Sequence, residues 1–155
     1  MRASYIENLE KWVEEFSFYT EVRVRFSETD MYGHVNNTVP FTYFELARIE
    51  YLKHFQQQGS TLMAAKDEII IVADLQCDFI KQCYFDELLH VYVKAASIGT
   101  SSIDLHYMVK NEKGDVCYTG RGTIVLYNAQ TGKSVPISEQ DKQLLLGKYV
   151  DAQQG

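Results

Sequence analysis

Residues 23–37 read RVRFSETDMYGHVNN, and residues 39–55 read VPFTYFELARIEYLKHF. Val22, Val24 and Phe26 alternate with Arg23, Arg25 and Ser27, which predicts a strand over residues 21–27. In the next segment Phe41, Phe44, Ala47, Tyr51 and Phe55 form one helical stripe. Leu46, Ile49 and Leu52 widen that stripe nearly all round, so the helix is expected to be buried on most sides. Pro40 suits its first turn, where a missing N–H is no loss. A strand, a polar loop and a thoroughly apolar helix therefore follow one another, and something else must cover that helix.

The downstream chain supplies the cover. In residues 69–79 the alternate positions Ile69, Ile71, Ala73, Leu75, Cys77 and Phe79 are apolar, a period of two over eleven residues. Leu89, Val91, Val93 and Ala95 alternate with His90, Tyr92 and Lys94, and Ile103, Leu105, Tyr107 and Val109 alternate with Asp104, His106 and Lys110. After the hairpin loop NEKGD, residues 117–127 give a last strand, in which Gly120 and Gly122 mark a bulge or a close backbone approach. Upstream, Ser4 and Glu7 match a capping box, and Ile6, Leu9, Val13 and Phe16 share one helical face. Ser138 is expected to cap a short helix through Leu146, and the final residues read as a tail. The sum is an α+β domain in which a curved antiparallel sheet wraps one long helix.

Composition narrows the function. With 155 residues, 46% apolar and 23% charged, the chain fits one globular domain. A net charge of −6 argues against nucleic acid and anionic membranes as partners. No run approaches the ~18 apolar residues of a membrane span. The start, MRASYIENLEKWVEEF, carries four glutamates and does not read as a signal peptide. Cys77, Cys83 and Cys117 lack CxxC spacing and suit reduced thiols, so a cytoplasmic protein is expected.

The loop holds the candidate chemistry. Asp30 stands a few residues before a helix start, whose N–H groups and positive dipole end suit a developing oxyanion. A carboxylate opposite those donors can attack an activated carbonyl or take a proton from water. Each residue also has a plainer role open to it. Asp30 can cap a turn, Gly33 can supply a positive φ, His34 can pack or orient, and Asn36 and Asn37 can cap the helix. Glu45 and Arg48 have the i,i+3 spacing of an ion pair. His34, His54, His90 and His106 show no metal-ligand spacing, and no dinucleotide or phosphate-loop motif occurs.

The run RVRFSETDMYGHVNNTVPFTYFELAR, residues 23–48, resembles the signature of the hotdog-fold acyl-CoA thioesterases of the 4-hydroxybenzoyl-CoA thioesterase-like family. Its carriers are the strand arginine, T-D-x-x-G-H-V-N-N, and an aromatic helix with F-E-x-A-R. The resemblance implies residues 1–19 as a helical addition, 20–147 as the hotdog domain and 148–155 as a tail. It implies Asp30 as the catalytic carboxylate, the Asn37 N–H as the carbonyl donor, and Gly33 with His34 as the matching G-H pair. One departure is Val39-Pro40-Phe41, where relatives often carry a tyrosine. The activity implied is hydrolysis of acyl-CoA to acid and CoA, with no metal or cofactor and CoA thioester as substrate. A homo-oligomer, dimer or tetramer, is implied, joined by sheet edges. The alternatives are a 3-hydroxyacyl-thioester dehydratase and a non-catalytic acyl-thioester binding module of the same fold.

Overall fold

Strands fill the second half of the chain, as their alternation predicts. The computed structural model describes residues 3–147, so the tail expected at 148–155 lies outside the described residues. The order is α1 (Leu9–Glu14), β1 (Phe18–Arg23), a 3-10 turn (Phe26–Glu28), α2 (Val39–Gln57), β2 (Glu68–Val72) and β3 (Gln76–Phe79). β4 (Leu88–Ile98), β5 (Ser102–Lys110), β6 (Val116–Asn128), β7 (Lys133–Ser134) and α3 (Glu139–Leu145) complete it. The sheet runs β1-β4-β5-β6-β2, and β3 and β7 also pair with β6. This is the α+β architecture expected from the sequence. Among the described residues no helix is long and apolar enough to cross a membrane.

The chain forms two compact units, one from residues up to 51, 76–94 and 106–121, the other from 52–75, 95–105 and 122 onward. In the first, α2 buries Tyr43, Phe44, Ala47 and Tyr51. Phe44 stacks on Tyr107 with ring centres 4.6 Å apart and planes 17° from parallel. Full burial of such a ring contributes roughly 1.5–3 kcal/mol. A Cβ on Gly120 would lie 2.5 Å from that Phe44 ring, so the close approach expected there is real and only glycine admits it. In the second unit Leu62, Ile103, Leu105, Ile124, Leu126, Ile137, Leu144 and Leu145 are buried. There Ser138 caps α3 by accepting the Asp141 N–H at 3.1 Å, and the Asp141 carboxylate accepts from the Thr61 N–H and hydroxyl, at 3.0 and 2.6 Å.

Several boundaries differ from the pattern, each for a local reason. Helix α1 starts at Leu9, not near Ser4, because Asn8 Oδ1 accepts the Lys11 N–H at 3.0 Å and Ala3–Ile6 closes a turn instead. Its buried residue is Trp12, whereas Leu9 is exposed. β1 lies at 18–23 rather than 21–27, since Glu28 takes the Arg25 N–H at 2.8 Å and winds the chain into the 3-10 turn. Helix α2 is not buried nearly all round. Thr42, Glu45, Leu46 and Ile49 form a bare face, and no ion pair joins Glu45 to Arg48 among the described residues.

The long alternating strand is split. β2 pairs Val72 with Ile124, but β3 pairs Gln76 with Arg121, so four steps on one side face three on the other. That extra residue is a β-bulge. Opposite it, a Cβ on Gly122 would meet the Asp74 carbonyl at 2.7 Å. Ile69 and Ile71, before the bulge, are exposed rather than core residues, and Cys77, after it, is half-buried.

Candidate active site

The Asp30 loop is a miniature hairpin. Thr29 and Val35 bridge, the Asp30 N–H donates to the His34 carbonyl at 2.8 Å, and the Gly33 N–H returns to the Asp30 carbonyl at 3.1 Å. Gly33 has φ +81° with open space around it, so backbone conformation is what selects glycine. Asp30 Oδ1 accepts the Tyr32 N–H at 2.8 Å and the His34 N–H at 3.1 Å. This is the turn-capping geometry that a local aspartate favours. It occupies one carboxylate oxygen and leaves Oδ2 without a partner among the described residues.

Asn36 and Asn37 separate into different roles. Asn36 is the cap: its Oδ1 accepts the Thr38 N–H at 3.2 Å and its carbonyl accepts the Val39 N–H at 2.9 Å. Pro40 has no N–H to offer. The Asn37 N–H, at the start of α2, donates to no group among the described residues. The His34 ring stands edge-on to Tyr84, 5.3 Å between centres, and His34 bridges Tyr84 through its backbone. That is packing geometry for the imidazole.

Asp30, His34 and Asn37 line one open cleft of ≈ 770 Å³, with Tyr32, Val35 and Asn36. Gly33 shapes the loop without lining the cleft. The far wall was not visible in the motif. It comes from Phe79, Ile80, Lys81, Gln82 and Tyr118, brought together by the Phe79–Tyr118 pair in the β3–β6 register. Phe79 and Ile80 are exposed, and the Phe79 ring meets Tyr118 edge-on at 5.8 Å. Burial first, then the neighbouring Cys83, pushes the Tyr118 phenol far above its ordinary value, so it stays a neutral wall. Lys81 is held at the mouth by Asp115, 2.6 Å away. The one hint in sequence was the apolar doublet Phe79-Ile80 followed at once by Lys81.

Cys83 and Cys117 are buried. Burial first, then the charge of Asp78, pushes Cys77 up to about 12, which disfavours the nucleophilic thiolate.

Asp30 and the Asn37 N–H, which donates to no group among the described residues, line one partly apolar cleft. Residues 24–145 match the thioesterase-like superfamily, and the chain belongs to it. The Bacillus subtilis protein YsmA is 41% identical over 137 residues, spanning 88% of this chain and 90% of that one. A solved structure of a predicted thioesterase from Bacillus stearothermophilus is 30% identical, with TM-score 0.73 and coverage of 84% and 95%. A thioesterase from Thermus thermophilus, solved with coenzyme A and Zn, is 27% identical, with TM-score 0.70 and coverage of 87% and 96%. The fold is the hotdog fold of these thioesterases. The superfamily match begins at Val24, which leaves α1 and β1 outside it.

Proposed function

We propose that the protein is an acyl-CoA thioesterase that hydrolyses acyl-CoA to the free acid and CoA. The observation that carries the reading is that Asp30, with Oδ2 open, and the undonated Asn37 N–H line the same cleft. The thioester carbonyl oxygen lies against the Asn37 N–H, which stabilises the charge that develops there. Asp30 either takes a proton from water, whose oxygen then adds to the carbonyl carbon, or adds to that carbon itself. Collapse breaks the C–S bond, and the departing thiolate takes up a proton as free CoA. In the second route water then cleaves the acyl-aspartyl anhydride. Gly33 and His34 serve through the backbone, shaping the turn that presents Asp30. Two copies join at the edge strand β2, whose Ile69, Ile71 and Val72 are exposed, because an apolar edge left open invites indiscriminate pairing.

The test is Asp30→Asn in a free-thiol release assay over a panel of acyl-CoAs. Asparagine keeps the size and one acceptor oxygen for the turn, and caps about as well as aspartate. The expected result is a folded protein that binds acyl-CoA and loses on the order of a hundredfold or more in turnover. Near-normal thiol release from folded Asp30→Asn would reduce this aspartate to a turn cap.

A further inference from the structure

The two groups assigned to the chemistry sit on opposite arms of one small loop, and a single side chain braces that loop from outside the cleft. Glu28 Oε1 accepts the Arg25 N–H at 2.8 Å and the Tyr43 hydroxyl at 3.1 Å. Its other oxygen meets the Arg25 guanidinium at 3.3 Å. The Glu28 main-chain carbonyl accepts the Asn36 N–H at 2.9 Å. Glu28 is thus two residues before Asp30 and bonded to the residue just before Asn37. Tyr43, in the second turn of α2, is buried and anchors this arrangement to the helix core. Neither Tyr43 nor Glu28 lines the cleft that holds Asp30.

We propose that Tyr43 and Glu28 are positioning residues, a latch that fixes the separation of the Asp30 carboxylate from the Asn37 N–H. The inference rests on the roles given to Asp30 and Asn37 above. The physical reason is geometric. Attack and oxyanion stabilisation act on adjacent atoms of one carbonyl, and supporting contacts must hold the two groups to within a fraction of an ångström. The Thr29–Val35 bridge ties the two arms together, and the Val35 N–H holds the loop to the Cys83 carbonyl at 2.8 Å, but neither contact reaches α2. The Tyr43 hydroxyl supplies the link from helix to loop. Burial first, then the Glu28 carboxylate, pushes the Tyr43 phenol up, so it remains a donor throughout the neutral range.

The experiment separates placement from stability. Tyr43→Phe keeps the buried ring and removes only the hydroxyl. The expected result is a folded protein with KM within about twofold and kcat lowered on the order of 10- to 100-fold, the scale of a small misplacement. Glu28→Gln, which keeps an acceptor oxygen for both donors, should retain most of the turnover that Glu28→Ala loses. Added to Asp30→Asn, Tyr43→Phe should cost little more, since the carboxylate it positions is already gone.

A lower melting temperature with unchanged kcat in Tyr43→Phe would make the hydroxyl a stability element and overturn the proposal. So would a full, multiplicative loss in the Asp30→Asn background. Should Tyr43→Phe fail to fold, the Glu28→Gln and Glu28→Ala pair decides alone, and equal turnover in the two overturns the latch. Loss in Asp30→Asn with none in the latch variants would leave the thioesterase reading standing without this inference. Full activity in Asp30→Asn would remove the function reading itself.

Discussion

β5 and β2 carry opposite surprises. In β5 the apolar phase of Ile103, Leu105, Tyr107 and Val109 is buried as its alternation predicts, but His106 and Met108 in the other phase are buried too. In β2, which reads as the more apolar strand, Ile69, Ile71 and Val72 are 41%, 38% and 41% exposed. The cause is the neighbour, not the letter. Trp12 and Phe16 of the N-terminal segment pack with Met108, and Trp12 Nε1 donates to His106 Nδ1 at 2.9 Å. Lys94 follows the same rule: it lies 4.8 Å over the Phe16 ring, bonds the Trp12 carbonyl and pairs with Glu15. β2 has a sheet partner on one side and no such cover. Alternation states which face a residue takes; it does not state what lies on that face.

The strongest break of this comparison is Trp12→Ala. It empties the space under α1 and removes the donor to His106, so a loss of about 3–5 kcal/mol is expected from denaturant melts. A loss below about 1 kcal/mol, the size of an ordinary surface change, would mean that α1 covers β5 without stabilising it.

A middle-sized effect belongs to Asp141, another buried polar residue that packing rather than pattern placed. Burial pushes its carboxyl up, but the bonds from Thr61, Ser138 and Ser60 outweigh that and hold it below its ordinary 3.8. The folded pKa is therefore the lower one. Its stabilisation is complete above the unfolded value of 3.8 and is lost as pH falls through the folded value. Asp141→Ala should cost about 1–3 kcal/mol at neutral pH and flatten the acid limb of a stability-against-pH curve. An unchanged acid limb would place that titration elsewhere.

The smallest effect on the fold sharpens the other side. Ile71→Lys puts a charge on a bare edge, so chain stability should change by no more than about 0.5 kcal/mol. Sedimentation should nevertheless shift toward smaller species if copies pair along β2. An unchanged assembly would move the subunit contact away from this edge.

Much of the candidate loop's geometry was legible because it is local. Asp30, Gly33 and Asn37 lie within one loop, and a turn, a positive φ and a helix start follow from residue type at short range. Even so, the motif left open which asparagine caps α2. Asn36 does, which frees the Asn37 N–H. The far wall of the cleft was not legible, because Phe79 and Tyr118 meet only through a strand register. The split of residues 69–79 was signalled only as one alternative at Gly120 and Gly122, since which residue is left over depends on how the two strands pair.

The sequence by itself determined the α+β order, the long central helix, the apolar phases of β4 and β5 and the candidate loop, for all of these rest on interactions a few residues apart. Only the tertiary structure decided that Trp12 closes over β5, that Leu46 and Ile49 stand bare on α2, and that Tyr43 reaches Glu28. Those outcomes depend on which surfaces meet. A surface contact joins residues far apart in the chain, and no periodicity along the chain encodes it.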